Sequence, residues 1–267
     1  MIKKFKPNYF SIYVLLLTFI TLCVLPSNSM AAERDFFQIK VYTIDNDDQE
    51  ARMDKYLKEA YLPALHRAGI SKAGVFKPIE SDTANGNIIV VFIPFKSLEQ
   101  FEELPQKLGK DKKYQADGSD YLDAAYDNPP YERIESTILK AFSEMPHFEA
   151  PEHASPPSER IYELRSYEGA TERLYERKVE MFNEGGEVAL FKKLDFKALF
   201  YAEVISGSQM PNLMYMITFS DLESQAEHWN AFRTAPEWTE LKKVEKYKHT
   251  VSNITKYLLH PTDYSDI

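Results

Sequence analysis

The chain has 267 residues, with 32 lysines and arginines against 41 acids, a formal net charge of −9 and one cysteine. That acidic balance argues against nucleic acid and anionic membrane surfaces as partners. The lone cysteine, Cys23, lies in the N-terminal leader, so the rest of the chain has neither a disulfide framework nor thiolate chemistry.

Residues 1–31 read as a secretory signal peptide. Lys3, Lys4 and Lys6 form a basic start, Tyr9 to Leu25 is an apolar run, and Ser29-Met30-Ala31 supplies small residues before Ala32. An uncleaved anchor is the competing reading, because the run approaches spanning length. Cleavage near Ala31 leaves 236 residues, and the loss of three lysines and no acid takes the charge from −9 to −12. The mature protein is then expected to be periplasmic or secreted, with no membrane attachment after the leader is removed.

Beyond the leader, the chain repeats itself. Residues 36–42 read Phe-Phe-Gln-Ile-Lys-Val-Tyr and residues 161–167 read Ile-Tyr-Glu-Leu-Arg-Ser-Tyr, alike in class position by position. Each copy is followed by a helix-period segment, a strand, a tight turn and another strand. The turns are Asn85-Gly86, a strong hairpin pair, and Ser206-Gly207-Ser208. The strands after them, Ile88–Phe95 and Asn212–Phe219, run into capping-box spacings at Ser97/Gln100 and Ser220/Glu223. Last strands at 131–142 and 247–258 share Ser136/Ser252, Ile138/Ile254 and Lys140/Lys256. The expected fold class is α+β: two tandem ferredoxin-like β-α-β-β-α-β units with facing antiparallel sheets. The units span 35–144 and 160–262, joined by a linker at 145–159 that carries Pro146, Pro151, Pro156 and Pro157. The stretch 107–130 reads as irregular, around Asp117-Gly118 and Pro129-Pro130.

Helix patterns divide the sheet faces. The segment Thr171 to Phe191 repeats Leu174, Met181 and Val188 at seven, with Gly185-Gly186 as an interruption. Met53, Tyr56, Leu57, Ala60 and Ala64 do the same in the first half, where Pro63 is expected to bend the helix. Such stripes need an apolar sheet face, and Phe37, Ile39, Val41, Tyr162 and Leu164 are assigned to it. The opposite face holds Gln38, Lys40 and Tyr42 in one unit and Glu163, Arg165 and Tyr167 in the other. The alignment of the last strands adds His249, Val251 and Asn253 to that face, and the third strand adds Met214 and Met216. A face of this mixed character fits a lumen between two sheets, contributed by the two repeats or by two chains. It reads either as a small-molecule pocket or as a homo-oligomer interface.

Chemistry is weakly marked. The six histidines show no metal-ligand spacing, Glu50 occupies the place where a calcium loop needs glycine, and no metal site is expected. His147, His153 and His228 read as surface residues. There is no G-x-S-x-G, no phosphate loop and no aromatic RNA-binding signature, and no residue pattern specifies a cofactor. Acid–base chemistry is the remaining catalytic option, with Glu163, Arg165 and His249 as candidates; Tyr167, Met214, Met216 and Asn253 are candidate ligand contacts. The same residues serve a structural polar network, and the balance leans away from an enzyme. Trp229, Phe232, Trp238 and Leu241 fit helix spacing and read as core.

The strand Ile161–Tyr167, with Ala235-Pro236-Glu237-Trp238 and Ser252-Asn253-Ile254 downstream, resembles the NIPSNAP family. The resemblance covers 160–262 well and 35–143 in degenerate form, where Gln38 and Lys40 replace the Glu-x-Arg pair. It implies the dimeric α/β-barrel superfamily, in which ferredoxin-like units pack sheet to sheet. That superfamily includes cofactor-free oxygenases, haem-degrading enzymes, isomerases and proteins with no known activity, so a barrel oxygenase or isomerase using Glu163, Arg165 and His249 is the alternative function. The NIPSNAP domain itself implies no catalytic mechanism, and a fold likeness does not supply one.

Overall fold

A computed structural model describes Met1, residues 33–82 and residues 86–267. The leader and Asn85 of the expected Asn85-Gly86 turn lie outside the described residues. Residues Arg34–Ile267 form one compact unit.

The strands are β1 Phe36–Thr43, β2 Gly74–Pro78, β3 Ile88–Phe95, β4 Arg133–Ala141, β5 Ile161–Glu168, β6 Lys197–Ser206, β7 Asn212–Phe219 and β8 Asn253–Pro261. They close into one antiparallel barrel in the order β1-β3-β2-β8-β5-β7-β6-β4. Within it, β4-β1-β3-β2 and β8-β5-β7-β6 repeat the same order. The halves join at two seams, where Lys77 faces His260 and Leu139 faces Val204. Closure within a single chain leaves no open sheet edge, which removes the usual route to edge-to-edge association.

Among the described residues nine α-helices, a π-turn and a 3₁₀ turn cover the outside. The first half has α1 Asp47–Tyr56, a π-turn Leu57–Tyr61, α2 Leu62–Arg67, α3 Leu98–Lys110, α4 Lys112–Asp117 and α5 Ser119–Leu122. The second has α6 Glu172–Phe182, α7 Glu187–Lys193, α8 Leu222–Thr234 and α9 Pro236–Leu241, before a 3₁₀ turn at Glu245–Tyr247. The π-turn ends two residues before Pro63, whose missing N–H breaks the regular ladder. Ser97 caps α3 by accepting from Gln100 N, and Gln100 Oε1 accepts from Lys96 N, so the return bond of the expected capping box reaches one residue before the cap. In the second half the cap shifts by one residue: Asp221 accepts from Ser224 N at 2.7 Å, displacing the expected Ser220. The stretch expected to be irregular at 107–130 instead carries the end of α3 and all of α4 and α5.

The structure reverses the expected assignment of sheet faces. One apolar cluster takes a residue from every strand, including Phe37, Phe76, Phe92, Leu139, Tyr162, Phe200, Met214 and Leu259, and fills the barrel. Phe92 stacks on Phe200 at 5.1 Å, and Phe76 meets Tyr162 at 4.8 Å, both joining one half to the other. Phe37, Ile39, Tyr162 and Leu164 therefore point inward rather than toward helices. The mixed face, with Glu163, Arg165 and Tyr167, points out beneath the helices. Alternation separates two faces but does not say which is enclosed. Closure selects the more apolar set for the interior, where charged groups would cost most. The helix layer tolerates the mixed set because its own side chains supply hydrogen bonds.

Candidate functional site

The outward face of β5 carries Glu163, Arg165 and Tyr167 at alternate positions, and the helices above it leave a cleft of about 800 Å³. Helix α6 contributes Lys178 and Met181, α8 contributes Gln225, Trp229, Phe232 and Arg233, and α9 contributes Trp238. The segment from Lys242 to Val251 and the start of β8 close the remaining side with His249 and Lys256.

Glu163 is 1% exposed. Its Oε2 accepts the Trp229 indole N–H at 2.7 Å and a Gln225 amide N–H at 2.8 Å. Its Oε1 lies 3.3 Å from Arg165 Nε, an ion pair by distance; the Nε–H is not aligned as a hydrogen bond, so the attraction is chiefly electrostatic. The Arg165 guanidinium lies 4.4 Å from the Trp229 ring centroid and 5.5 Å from that of Tyr167. Burial pulls its pKa down, but Tyr215, Tyr167 and Glu163 outweigh that and raise it, so the group stays charged. Tyr167 and Tyr215 share a hydroxyl–hydroxyl hydrogen bond at 2.8 Å, and burial holds both phenols above their ordinary range.

A second buried pair sits alongside. Lys178 donates to Glu187 at 2.7 Å, and its ammonium lies 4.6 Å from the Phe182 ring centroid. The pair depends on the break between α6 and α7. Gly186 has φ 85°, a left-handed conformation, and a Cβ on Gly185 would stand 2.5 Å from Met181 O. The Gly185-Gly186 interruption in the sequence is thus the turn that starts the helix carrying Glu187.

Of the candidate site residues, Glu163, Arg165, Tyr167 and His249 line this one cleft. His249 lies in a loop before β8 with φ 57°, not on a strand, so the alignment of the last strands fails at its start. Met214 and Met216 fill the barrel interior: β7 pairs Arg165 with Tyr215, which sends the flanking methionines to the opposite face. Asn253 is exposed and donates to Glu168 at 2.8 Å, outside the cleft lining. The expected surface histidines also differ. His228 packs edge-on against Phe196 at 5.4 Å, and His153 Nε2 lies 3.1 Å from Thr218 Oγ1, with burial lowering its pKa. Trp238, Lys178 and Arg233 were not among the candidates. The spacing of Trp238 marks it for a helix face, but nothing local shows that the face borders a cleft.

The first half treats the matching face differently. Gln38 donates to Ser136 Oγ at 2.8 Å, and Lys40 donates to Tyr61 at 3.1 Å. Tyr42, the counterpart of Tyr167, belongs to a cluster with Tyr56, Tyr61 and Tyr114. Tyr56 stacks on Tyr121 at 3.7 Å and bonds Tyr114 at 2.8 Å. Tyrosines from α4 and α5 thus pack where the second half keeps a cleft.

Among the described residues no group of three or more His, Cys, Asp or Glu could hold a metal ion, and no helix is long and apolar enough to cross a membrane.

The fold is an eight-stranded antiparallel α/β barrel closed from two like halves, with a cationic, aromatic-lined cleft on one of them. Residues 162–266 match the NIPSNAP family model. No curated protein matches the chain. Over most of its length the chain is similar in fold to a protein from Lactobacillus acidophilus provisionally named a monooxygenase. That protein is 10% identical, with a TM-score of 0.54 over 86% of this chain and 94% of the other. A protein from Fusobacterium nucleatum, also provisionally named a monooxygenase, is 7% identical over 86% of this chain and 93% of the other, with a TM-score of 0.54. An uncharacterised NIPSNAP-like domain protein from Burkholderia xenovorans covers 40% of this chain and 90% of its own length at 18% identity and a TM-score of 0.37.

Proposed function

We propose that this is an exported small-molecule-binding barrel of two tandem ferredoxin-like units, with its binding site in the second-half cleft. The observation that carries the reading is the cleft of about 800 Å³ under α8 and α9, lined by Trp229, Phe232, Trp238 and Arg165. Its size and its mix of aromatic walls with a few fixed polar groups are those of small-molecule sites. The barrel interior offers no comparable space, being packed with Phe37, Phe92, Phe200 and Met216. Export rests on the leader pattern of residues 1–31.

Binding is favoured over catalysis because Glu163 is already committed. Three donor groups surround its two oxygens, so it acts as a brace for Trp229 and Arg165 rather than as a base. A second copy of the chain is not needed to complete the site, since the two halves of one chain close the barrel.

Native mass spectrometry of the mature protein as purified, beside Trp238→Ala, tests the reading. The expected result is a retained or added small molecule in the wild type that the variant releases. Ligand occupancy equal in the two proteins would contradict a site under α9.

A further inference from the structure

We propose that the cleft takes a flat, apolar small molecule carrying one acidic group, a carboxylate, sulfonate or phosphate, with the acid on Arg165 and the ring system against Phe232 and Trp238. This rests on the reading of the cleft as a ligand site and assigns its ligand class.

Charge comes first. The whole chain carries −9, yet the cleft is lined by six lysines and arginines and two acids. Each acid is matched by a base within the lining, Glu163 by Arg165 and Glu187 by Lys178. Of the other cations Lys248 is paired with Glu245 outside the lining, and the exposed Arg233 and Lys242 leave the cleft positive. A concave site carrying charge opposite to the rest of its protein concentrates anions.

Arg165 supplies the directional contact. Its Nε faces Glu163, its Nη1 lies 3.4 Å from Tyr215 Oη, and its Cζ lies over the Trp229 ring at 4.4 Å from the centroid. Nη2 makes no hydrogen bond among the described residues and is not buried. The guanidinium is therefore fixed in orientation before a ligand arrives, with one edge left to donate. A preorganised charged donor of this kind favours an acid over a neutral acceptor.

The aromatic wall sets the shape. Phe232 and Trp238 lie 4.6 Å apart with their planes 38° apart, and Trp238 has the ammoniums of Lys178 and Lys242 at 5.8 and 5.5 Å. A second flat ring system extends this wall beside the two ammoniums.

The test is a fluorescence titration of the mature protein with two probes of like shape: anilinonaphthalene sulfonate and uncharged phenylnaphthylamine. The sulfonate is expected to bind one per chain and at least about tenfold more tightly than the neutral probe, the size of one charged hydrogen bond. Arg165→Gln is expected to remove most of that preference while the neutral probe's affinity stays within about twofold, and Trp238→Ala is expected to weaken both. Because Arg165 is paired with Glu163, circular dichroism checks the fold. Exposed Lys242→Gln is the second variant, expected to weaken the sulfonate by roughly twofold without touching the core.

Equal affinity for the two probes, with both still lost in Trp238→Ala, would overturn the acidic ligand class and leave the cleft a binding site. Probe binding insensitive to Trp238→Ala would overturn both the class and the site. Binding that appears only at concentrations where the chain dimerises would assign the cleft to a second copy and likewise overturn the proposal.

Discussion

Glu163 and Trp229 are joined by a 2.7 Å hydrogen bond from the indole N–H to a carboxylate that is 1% exposed. The bond ties the first strand of the second half to helix α8. It also fixes the ring on which Arg165 rests, so the wall of the cleft and its principal cation share one support.

Removal of that support is expected to be expensive. Glu163→Ala leaves Arg165 without its counter-ion and the Trp229 N–H without its acceptor, and breaking a buried charged pair costs about 3–5 kcal/mol. Glu163→Gln keeps an acceptor for Trp229 and is expected to cost distinctly less. Urea unfolding of the three proteins measures both differences.

The barrel interior is the second target. Phe200 contacts Phe37 and Phe92 across the join of the two halves, at 5.1 Å in each case. Phe200→Ala is expected to lower stability by about 3–5 kcal/mol through lost burial and a residual cavity. Leu222, exposed on α8, is the matched control, and Leu222→Ala is expected to change stability by less than about 0.5 kcal/mol. Equal losses at the two positions, measured by urea unfolding, would mean that the halves do not share this core.

Lys40 gives a pH signature. Burial lowers its pKa from 10.5 to about 8, while its ammonium bonds Tyr61. Between these values the unfolded chain holds the proton and the folded chain has released it, so this group makes stability rise with pH from about 8 toward 10.5. Neighbouring tyrosines act in the opposite sense. Tyr61 and Tyr42 are raised by burial, so above pH 10 the unfolded chain loses phenol protons that the folded chain keeps. The Lys40 contribution is therefore isolated by difference. The stability of Lys40→Met relative to the wild type, from urea unfolding at pH 7.5 to 9.5, is expected to be greatest at the low end and to shrink as pH rises. A constant difference would contradict the buried ammonium.

Much of the fold was legible in the repeat. The likeness of residues 36–42 to 161–167 implied two matched halves, and β1 and β5 occupy equivalent places in the barrel. The direction of the faces was not legible. Phe37 and Leu164 look equally suited to a helix or to a barrel interior, and only closure of the sheet decides between them. The site was partly legible for the same reason. Glu163, Arg165 and Tyr167 share a face by strand period alone, whereas Met214 and Met216 depended on a register that pairs Arg165 with Tyr215. His249 was placed on a strand by alignment but sits in a left-handed loop, a conformation that its neighbours in sequence do not announce. The tyrosine cluster around Tyr42 draws on α1, α4 and the π-turn, elements too far apart for a sequence window to join.

The chain's two tryptophans, Trp229 and Trp238, both line the cleft, which gives ligand binding there a direct reporter. The measurement is the nitrogen–proton NMR spectrum of the mature protein titrated with anilinonaphthalene sulfonate, read at the two indole N–H signals. Both signals are expected to shift together and saturate at one ligand per chain, with the Trp229 signal already displaced in Glu163→Gln before ligand is added. Saturable binding that leaves both indole signals in place would contradict binding in the cleft.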